Sequence, residues 1–283
     1  MNSKDKKRPA WILPILILLL LIIFIRVFIG QPSYIPSESM ENTLLRGDYV
    51  WVNKLTYGSL MPRRYADIPL INVFTWVTSL REKDRQNDWG YHRVKTGRQP
   101  SYGDIAVYTP MDAPSIHVVK RIVGCPGDTI IIEEGELFIN GKPAKQISTI
   151  IKTQSGDQAQ FPAHTKWSSH NYGPLVVPGK KNRIKLDNEN YLWIKDMASK
   201  EGNVLTCARD SLYFCNGERI DAYSFMNDYY FTLGDNRQNS LDSRFSGFGS
   251  EQEIVGTINF VVFSIDTNSN TGINKKRFFK KVH

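Results

Sequence analysis

Two serines, Ser37 and Ser39, lie one residue apart in the stretch IPSESMENTLLRGD, which spans residues 35–48. Pro36 fixes its own φ and favours an extended conformation for Ile35. In an extended chain, side chains two positions apart point to the same side. One hydroxyl could therefore act as a nucleophile while the other donates a hydrogen bond beside it. The competing interpretation is a serine-rich loop that leaves a membrane segment, because Ser-x-Ser is a common pattern.

A serine nucleophile needs a base, and the sequence supplies neither a G-x-S-x-G elbow nor a histidine motif. The histidines all stand outside any supporting motif: His92, His117, His164, His170 and His283. A lysine three residues after either serine would indicate a penicillin-binding type of site, but those positions are Met40 and Asn42. His164 and His170 have no further ligands near them in sequence and are interpreted as surface residues. No metal and no cofactor is expected.

Lys120 is the best candidate for the base because its segment, VVKRIVG, is apolar on both sides. An amine is a base only when neutral, and an unperturbed lysine, with a pKa of about 10.4, is almost fully charged at pH 7. Burial in an apolar environment lowers the pKa of a lysine enough to change this. Neighbouring Arg121 does not deprotonate in proteins. Lys54 is the rival base, on a more polar strand, and a solvated Lys120 at a sheet edge is the alternative without function.

The composition is that of an ordinary globular chain of 283 residues, in which Lys+Arg 36 and Asp+Glu 28 give a net charge of +8. Such an excess suits an anionic membrane surface or a nucleic acid. The basic residues are spread out except at the two chain ends, and no nucleic-acid motif is present, so the membrane surface is preferred. The three cysteines are too few for a disulfide scaffold, and whether Cys207 and Cys215 form a disulfide stays open.

The N-terminal sequence predicts a membrane anchor. Basic residues lie before the apolar run Trp11 to Ile29, which only Pro14 and Arg26 interrupt. About 19 helical residues span roughly 28 Å, enough for the hydrocarbon core of a bilayer. The positive flank is expected to stay in the cytoplasm, with the rest of the chain exported. A cleaved secretory signal is disfavoured, because cleavage needs small residues and Phe28 occupies one of the required positions.

Beyond residue 29 the patterns are those of β-strands. Residues 50–55 alternate between two faces, and Asn140-Gly141 predicts a hairpin turn. The apolar patch at residues 68–77 is interpreted as a buried hairpin, with insertion into the outer leaflet as the alternative. The basic tail, residues 266–283, is interpreted as a solvated end, with a membrane-surface contact as the alternative. The exported part is therefore predicted to be mostly β.

Four stretches resemble, in order, the characteristic boxes of bacterial type I signal peptidases: IPSESMENTLLRGD, YGDIAVY, VVKRIVGCPGD and LGDNRQNSLDSRFSGFG. These are membrane-anchored Ser/Lys endopeptidases of the cell envelope, and the anchor precedes the first box as it does in that family. Residues 60–100 and 142–228 match only loosely. Four ordered motifs behind an anchor make the resemblance specific.

The resemblance implies a mainly β fold, in which one N-terminal transmembrane helix precedes a coiled-sheet catalytic β domain with an inserted, mostly β cap region. The implied boundaries are a cytoplasmic basic tail, the anchor, the catalytic core in two parts, the cap and the C-terminal tail: 1–9, 10–29, 30–141 with 229–265, 142–228 and 266–283. The implied location is the bacterial inner (plasma) membrane, single-pass, with the catalytic domain on the outer (periplasmic) face. The implied partners are signal-peptide-bearing preproteins, the lipid bilayer and the general secretion translocon, with no nucleic acid and no cofactor.

Matched by motif, Ser39 is the implied nucleophile and Lys120 the implied general base. Ser37 is expected to donate its hydroxyl to the oxyanion together with the backbone N–H of Ser39. Ser240 resembles the serine that hydrogen-bonds and orients the lysine, and Asp242 and Arg244 resemble the acidic and basic pair that supports the site. The residues expected to contact an extended substrate are Ile35, Met40, Leu44, Val118 and Val119.

Two positions depart from the family pattern. Asn42 stands where the family usually has proline, and Gln238 where it usually has aspartate. Neither position carries the reaction, so the departures bear on loop rigidity and substrate preference. A catalytically silent envelope module and a self-cleaving Ser/Lys repressor protease are the alternatives. The presence of both Ser39 and Lys120 disfavours the first, and the anchor and the lack of a DNA-binding motif disfavour the second.

Overall fold

The computed structural model describes residues 11–94, 97–110, 116–145, 161–163, 165–180, 182–209, 211–265 and 272–282. It begins with an apolar helix, α1 (Ile12–Phe24), which continues as a π-helical turn at Ile25–Ile29. Residues Ile12–Ile29 have a mean hydropathy of 3.2, and in the described residues this is the one helix long and apolar enough to cross a membrane. Its apolar side chains are largely exposed all round the helix, a distribution typical of a membrane-spanning segment.

The remaining described residues form mainly strands, which confirms the mainly β prediction. In chain order the strands are β1 (Gly30–Tyr34), β2 (Asp48–Asn53), β3 (Ile105–Tyr108), β4 (Val118–Gly124), β5 (Thr129–Glu133), β6 (Glu136–Ile139), β7 (Lys142–Pro143), β8 (Tyr172–Val176), β9 (Arg183–Lys185), β10 (Leu205–Ala208), β11 (Leu212–Cys215), β12 (Glu218–Ile220), β13 (Ala222–Ser224), β14 (Tyr229–Leu233), β15 (Gly249–Ser250) and β16 (Ile254–Ser264). The helices after α1 are α2 (Thr78–Gln86), α3 (Tyr191–Lys200) and α4 (Ser243–Ser246).

The largest sheet has seven strands in the order β1-β2-β16-β3-β4-β14-β15, and all neighbouring pairs are antiparallel. In β2, Val50 and Val52 are buried while Trp51 and Asn53 are half-buried, which confirms the predicted alternation. The two valines belong to a hydrophobic cluster that includes Leu44 from the serine-bearing segment. Burial of this cluster therefore holds the serine-bearing segment against one face of the sheet.

Smaller sheets fill the chain between β4 and β14. Strands β5 to β8 form a sheet of four in the order β7-β6-β5-β8, β10 to β12 form one of three, and β9 pairs with β13. Strands β5 and β6, which precede residue 142, pair with each other, and β5 also pairs with β8, so neither belongs to the seven-stranded sheet. The sequence pattern does not predict α3, because its buried Trp193, Ile194 and Met197 repeat over only 10 residues.

The segment between β2 and β3 is helical where a hairpin is predicted. It contains 3-10 turns at Tyr65–Asp67 and Ile71–Trp76, followed by α2. Val73 and Val77 are 50% and 54% exposed. The buried-hairpin interpretation of residues 68–77 is therefore wrong, because a short apolar run does not distinguish a strand from a helix by its period.

The described C-terminal residues, 272–282, return to the seven-stranded sheet. The backbone N–H of Val282 donates to a carbonyl of β16 at 3.0 Å. Arg277 is buried, pairs with the carboxylate of Asp48 and donates to the carbonyl of Thr43 at 3.1 Å. The interpretation as a solvated end is wrong for these residues, because a buried carboxylate at the start of β2 needs a cation. The rest of the tail lies outside the described residues.

Candidate active site

Ser39 and Lys120 meet at the seven-stranded sheet, although 81 positions separate them in the chain. Lys120 Nζ donates to Ser39 Oγ at 2.7 Å. The exposed fractions are 8% for Ser39 and 6% for Lys120, so solvent reaches the pair only slightly. Ser37 Oγ lies 3.4 Å from Ser39 Oγ. The three side chains predicted to carry the chemistry therefore converge on one small volume.

Burial has the largest influence on the Lys120 amine and lowers its pKa below the usual value for lysine. Among the nearby charges, Asp242 raises this pKa, Arg244 lowers it and Asp235 raises it. Each carboxylate is itself paired with an arginine, Asp242 with Arg244 and Asp235 with Arg121. The arginine charges offset the stabilisation that these carboxylates would give to a Lys120 ammonium ion. Lys120 therefore becomes neutral at a lower pH than a lysine in water, and the alternative of a solvated edge lysine is excluded.

The position of Ser39 is set by backbone hydrogen bonds of its turn and by the hydrophobic cluster beneath that turn. The N–H of Ile35 donates to the first carbonyl of β2 at 2.9 Å, and the N–H of Leu44 donates to the carbonyl of Met40 at 2.7 Å. The N–H of Asn236 donates to the carbonyl of Ser39 at 3.1 Å. Ile35, Met40 and Leu44, predicted to contact substrate, are 3%, 1% and 0% exposed and belong to the hydrophobic cluster below the turn. They support Ser39 from beneath and present almost no surface of their own.

The rival bases lie away from this pair. Lys54 Nζ donates to the carbonyl of Arg26, near the end of the N-terminal apolar segment, at 2.7 Å. His117 is hydrogen-bonded to side chains of β1 and of the residue after β3. His164 and His283 lie outside the described residues. In the part of the chain that the structure describes, no cluster of His, Cys, Asp and Glu could hold a metal ion, and the cysteines are free.

A buried ion pair between Arg121 and Asp235 lies next to the Ser39–Lys120 pair. Arg121 Nε and Nη2 donate to the two oxygens of Asp235 at 2.7 and 2.6 Å. Thr43 Oγ1 donates to the same carboxylate at 2.5 Å, which ties the serine turn to the loop after β14. No local sequence pattern predicts this ion pair. The sequence indicates only that Arg121 lies beside Lys120. Its partner Asp235 is 114 positions away and cannot be inferred from neighbouring residues.

A second buried ion pair, Asp242–Arg244, has the predicted partners. Arg244 Nε and Nη2 donate to the two oxygens of Asp242, both at 2.9 Å. Arg244 also donates to the carbonyls of Ser169 and Arg237 at 3.1 and 2.8 Å, and Asp242 accepts the N–H of Gly234 at 3.1 Å. The pair therefore joins the inserted region, the loop after β14 and the start of α4.

Known proteins resemble this chain over most of its length. A profile of the family described as "Signal peptidase, peptidase S26" matches residues 8–263. The chain belongs to the signal peptidase S26 family. Signal peptidase I of Buchnera aphidicola subsp. Acyrthosiphon pisum is 30% identical to it over 275 residues, which cover 91% of this chain and 77% of the relative. Signal peptidase I of Helicobacter pylori strain J99 is 27% identical over 275 residues, covering 96% and 87%. The chain is accordingly a serine peptidase, a hydrolase.

Ser240 of the peptidase departs from its predicted role. Its hydroxyl is buried and has no hydrogen-bond partner among the described residues, so the predicted hydrogen bond to Lys120 is not formed. Ser240 packs instead against Gly234. A Cβ on Gly234 would lie 2.5 Å from Ser240 Cβ and 2.6 Å from the carbonyl oxygen of Ser39, closer than real Cβ contacts. Glycine at position 234 therefore lets the loop after β14 pack directly on Ser39.

Of the two departures from the family pattern, Gln238 is exposed, whereas Asn42 lies in the turn that follows Ser39. The φ of Asn42 is 74°, in the left-handed region that asparagine tolerates and that proline, with φ near −65°, does not enter. We expect Asn42→Pro to destabilise the peptidase by about 1–3 kcal/mol and to lower its Tm. Thermal unfolding followed by circular dichroism measures this. Asn42→Gly, which permits the same φ, is the control, and a proline variant as stable as the parent protein would contradict the left-handed turn.

Proposed function

We propose that this peptidase is a membrane-bound serine endopeptidase that removes N-terminal signal peptides from exported preproteins, with Ser39 as nucleophile and Lys120 as general base. The observation that carries the proposal is the 2.7 Å contact between Lys120 Nζ and Ser39 Oγ inside a buried site. Burying a lysine amine costs free energy, and a catalytically silent envelope module would gain nothing from that cost. The contact therefore favours the enzyme over the silent module.

The reaction is an acyl transfer in two halves. Neutral Lys120 accepts the Ser39 proton while Ser39 Oγ attacks the scissile carbonyl carbon. As the C–N bond breaks, the Lys120 ammonium gives that proton to the leaving amine, which becomes the N-terminus of the mature protein. In the second half, neutral Lys120 takes a proton from water, the water oxygen attacks the acyl carbon, and the ester bond breaks. The proton then returns to Ser39 Oγ, so both residues are regenerated and the signal peptide is released.

The donors for the oxyanion are the Ser37 hydroxyl and the backbone N–H of Ser39. Ser37 Oγ lies 3.4 Å from Ser39 Oγ, within reach of an oxygen on the carbon that Ser39 attacks. The side chain of Ser37 is exposed, and its hydroxyl can turn towards that oxygen. This arrangement stabilises negative charge where it develops in the transition state.

The N-terminal half of β4 offers an edge for an extended substrate. Strand β14 pairs with β4 only at positions 121–124, whereas β3 pairs along the other side at 118–121. In the described residues, no strand covers the β14 side of Val118 and Val119, so a preprotein can add there by β-augmentation. Both valines are half-buried. Shallow apolar surface of this kind favours small side chains before the cut.

The anchor keeps the site close to the membrane. Ser39 follows Ile29 by ten positions, a reach of at most roughly 35 Å. With the basic residues 1–9 in the cytoplasm, the catalytic domain lies on the outer face of the bacterial plasma membrane. Preproteins emerge from the general secretion translocon at this face with their signal peptides still in the bilayer. The proposed topology therefore brings nucleophile and cleavage site together.

The direct test uses the full-length protein and a membrane-bound preprotein, reconstituted together in vesicles. We expect a single new N-terminus directly after two small residues separated by one position, identified by mass spectrometry of the mature product. A preprotein with tryptophan in place of the small residue before the cut is the matched control and is expected to stay intact. Intact preprotein in both reactions, or equal cleavage of both, would contradict the proposal.

The cleavage rate is expected to rise with pH as Lys120 loses its proton. Only the neutral amine accepts the Ser39 proton, and burial lowers the Lys120 pKa, so the midpoint of the rise lies below the usual lysine pKa of about 10.4. The measurement is the single-turnover rate with saturating enzyme as a function of pH. Binding of the same preprotein to Ser39→Ala over the same range controls for pH-dependent binding. A rate that stays flat from about pH 5 to pH 10 would indicate a base other than lysine.

A further inference from the structure

A cavity of about 510 Å³ lies where the anchor meets the catalytic domain. Its walls include the end of the anchor, residues 60–72 and His117, which directly precedes β4. It is separate from the Ser39–Lys120 pair, which does not line it. The catalytic mechanism does not use this cavity.

Two cations and one imidazole lie close together in the cavity wall: Arg26, Lys54 and His117. Lys54 Nζ donates to the carbonyl of Arg26, and burial followed by the Arg26 charge lowers the pKa of Lys54 to about 8. Desolvation and then the charge of Lys54 lower the pKa of His117. Within the described residues, none of the three forms an ion pair with an acidic group. Their mutual repulsion would be relieved by an anion.

Three acidic residues lie in the same walls: Asp67, Asp88 and Glu253. Asp88 pairs with Arg63, whose Nε donates to it at 3.0 Å. One oxygen of Asp67 accepts the backbone N–H groups of Arg63 and Arg64 at 2.9 and 3.1 Å. Glu253 accepts the backbone N–H of Ser250 at 2.9 Å. Within the described residues no ion pair joins these carboxylates to Arg26, Lys54 or Arg64, and the lining holds four cations, with Arg63, against three carboxylates.

The position of the cavity relates these charges to a bilayer. Arg26 lies in the last turn of the apolar segment Ile12–Ile29. On the domain side, the segment at residues 68–80 exposes apolar side chains: Leu70, Val73, Val77 and Leu80. The cavity therefore lies between the outer end of the proposed anchor and the segment that exposes these apolar side chains, a position suited to the headgroups of a spanned bilayer.

We propose that this cavity binds the phosphate of an anionic phospholipid headgroup in the outer leaflet, with Lys54, Arg64 and Arg26 as its cationic contacts. The shared chemistry is that of any phosphate anion, but the apolar segment beside the cavity favours a phosphate that carries acyl chains. Bound lipid would fix the angle between anchor and catalytic domain, because the cavity has walls from both. The inference depends on the proposed topology and not on the proposed catalytic mechanism.

The test uses full-length protein reconstituted in phosphatidylcholine vesicles with small amounts of spin-labelled lipid. Electron paramagnetic resonance gives the association of labelled phosphatidylglycerol relative to labelled phosphatidylcholine. We expect the anionic lipid to be preferred and Lys54→Gln to lower the preference about fivefold, because each cation near the surface contributes about 1 kcal/mol. Glutamine can still donate to the Arg26 carbonyl. Arg64→Gln is the second variant in case Lys54→Gln does not fold, and Lys142→Gln, an exposed lysine on β7, is the matched control.

Two kinds of result would overturn the lipid proposal. Equal association of the two lipids, or equal losses in Lys142→Gln and Lys54→Gln, would overturn the proposal. Displacement of labelled phosphatidylglycerol by inorganic phosphate, and not by chloride at the same ionic strength, would identify a site for free phosphate and would overturn the lipid assignment. No preprotein is present, so failure here is distinguishable from failure of the cleavage proposal, which the Ser39 and Lys120 variants test.

Discussion

Lys120→Met is expected to lower the rate of preprotein cleavage by about 10²–10⁴-fold, because the substitution removes the general base and leaves an apolar side chain of similar length in the same space. The amine it removes lies 2.7 Å from the Ser39 hydroxyl. Single-turnover cleavage of a membrane-bound preprotein measures the loss. Circular dichroism of the variant should match that of the parent protein, since methionine suits the buried environment better than a lysine amine does.

Two further variants serve as controls for the Lys120→Met measurement. Ser39→Ala should abolish cleavage, because no nucleophile remains at the attacking position. Lys142→Met, at an exposed position of β7, should cleave at the parent rate and controls for the loss of a lysine as such. Cleavage by Lys120→Met within tenfold of the parent protein would rule out Lys120 as the base.

Asp235→Ala is expected to destabilise the folded protein by about 3–5 kcal/mol, because it leaves the Arg121 guanidinium buried without its counter-ion. The Arg121 and Asp235 side chains are 1% and 0% exposed, so water cannot take the place of the carboxylate. The Thr43 hydroxyl would lose its acceptor as well. Denaturant unfolding of the full-length protein in neutral detergent gives the change in the free energy of unfolding.

The control for this prediction is an ion pair of similar geometry at the surface. Asp88 pairs with Arg63, and their side chains are 46% and 36% exposed, so Asp88→Ala should cost about 0–1 kcal/mol. Replacing both buried partners, Arg121→Met with Asp235→Leu, should recover part of the loss, since no unpaired charge is then left. Similar destabilisation by Asp235→Ala and Asp88→Ala would show that burial does not make loss of the Asp235 carboxylate more costly.

Thr43, in the turn that carries Ser39, forms hydrogen bonds with members of two buried ion pairs. Its hydroxyl donates to Asp235 and its carbonyl accepts from Arg277, which pairs with Asp48. Asp48 Oδ2 also accepts the N–H of Leu45 at 2.8 Å. The turn that carries Ser39 is therefore held from the loop after β14 and from the C-terminal segment at once.

Local sequence was sufficient for features that depend on neighbouring residues. The alternation of Val50 and Val52 with Trp51 predicted β2 correctly, because the two faces of a strand are a property of adjacent positions. The apolar run at Ile12–Ile29 and the serine pair behind Pro36 are local in the same sense. The segment at residues 68–77 was not predictable in this way, since its apolar residues carry no clear period.

The tertiary structure showed that Lys120, the lysine favoured by its apolar strand, is buried against the serine and that the rival Lys54 is not. Lys54 and Lys120 both lie in or just after strands with apolar neighbours, but Lys54 bonds to the anchor and Lys120 to Ser39. The sequence likewise gave no means to join Arg121 with Asp235 or Asp48 with Arg277, which are 114 and 229 positions apart. Periodicity fixes which face of a strand a side chain occupies. What lies opposite that face, and so which charges are buried and paired, depends on long-range packing that no local pattern encodes.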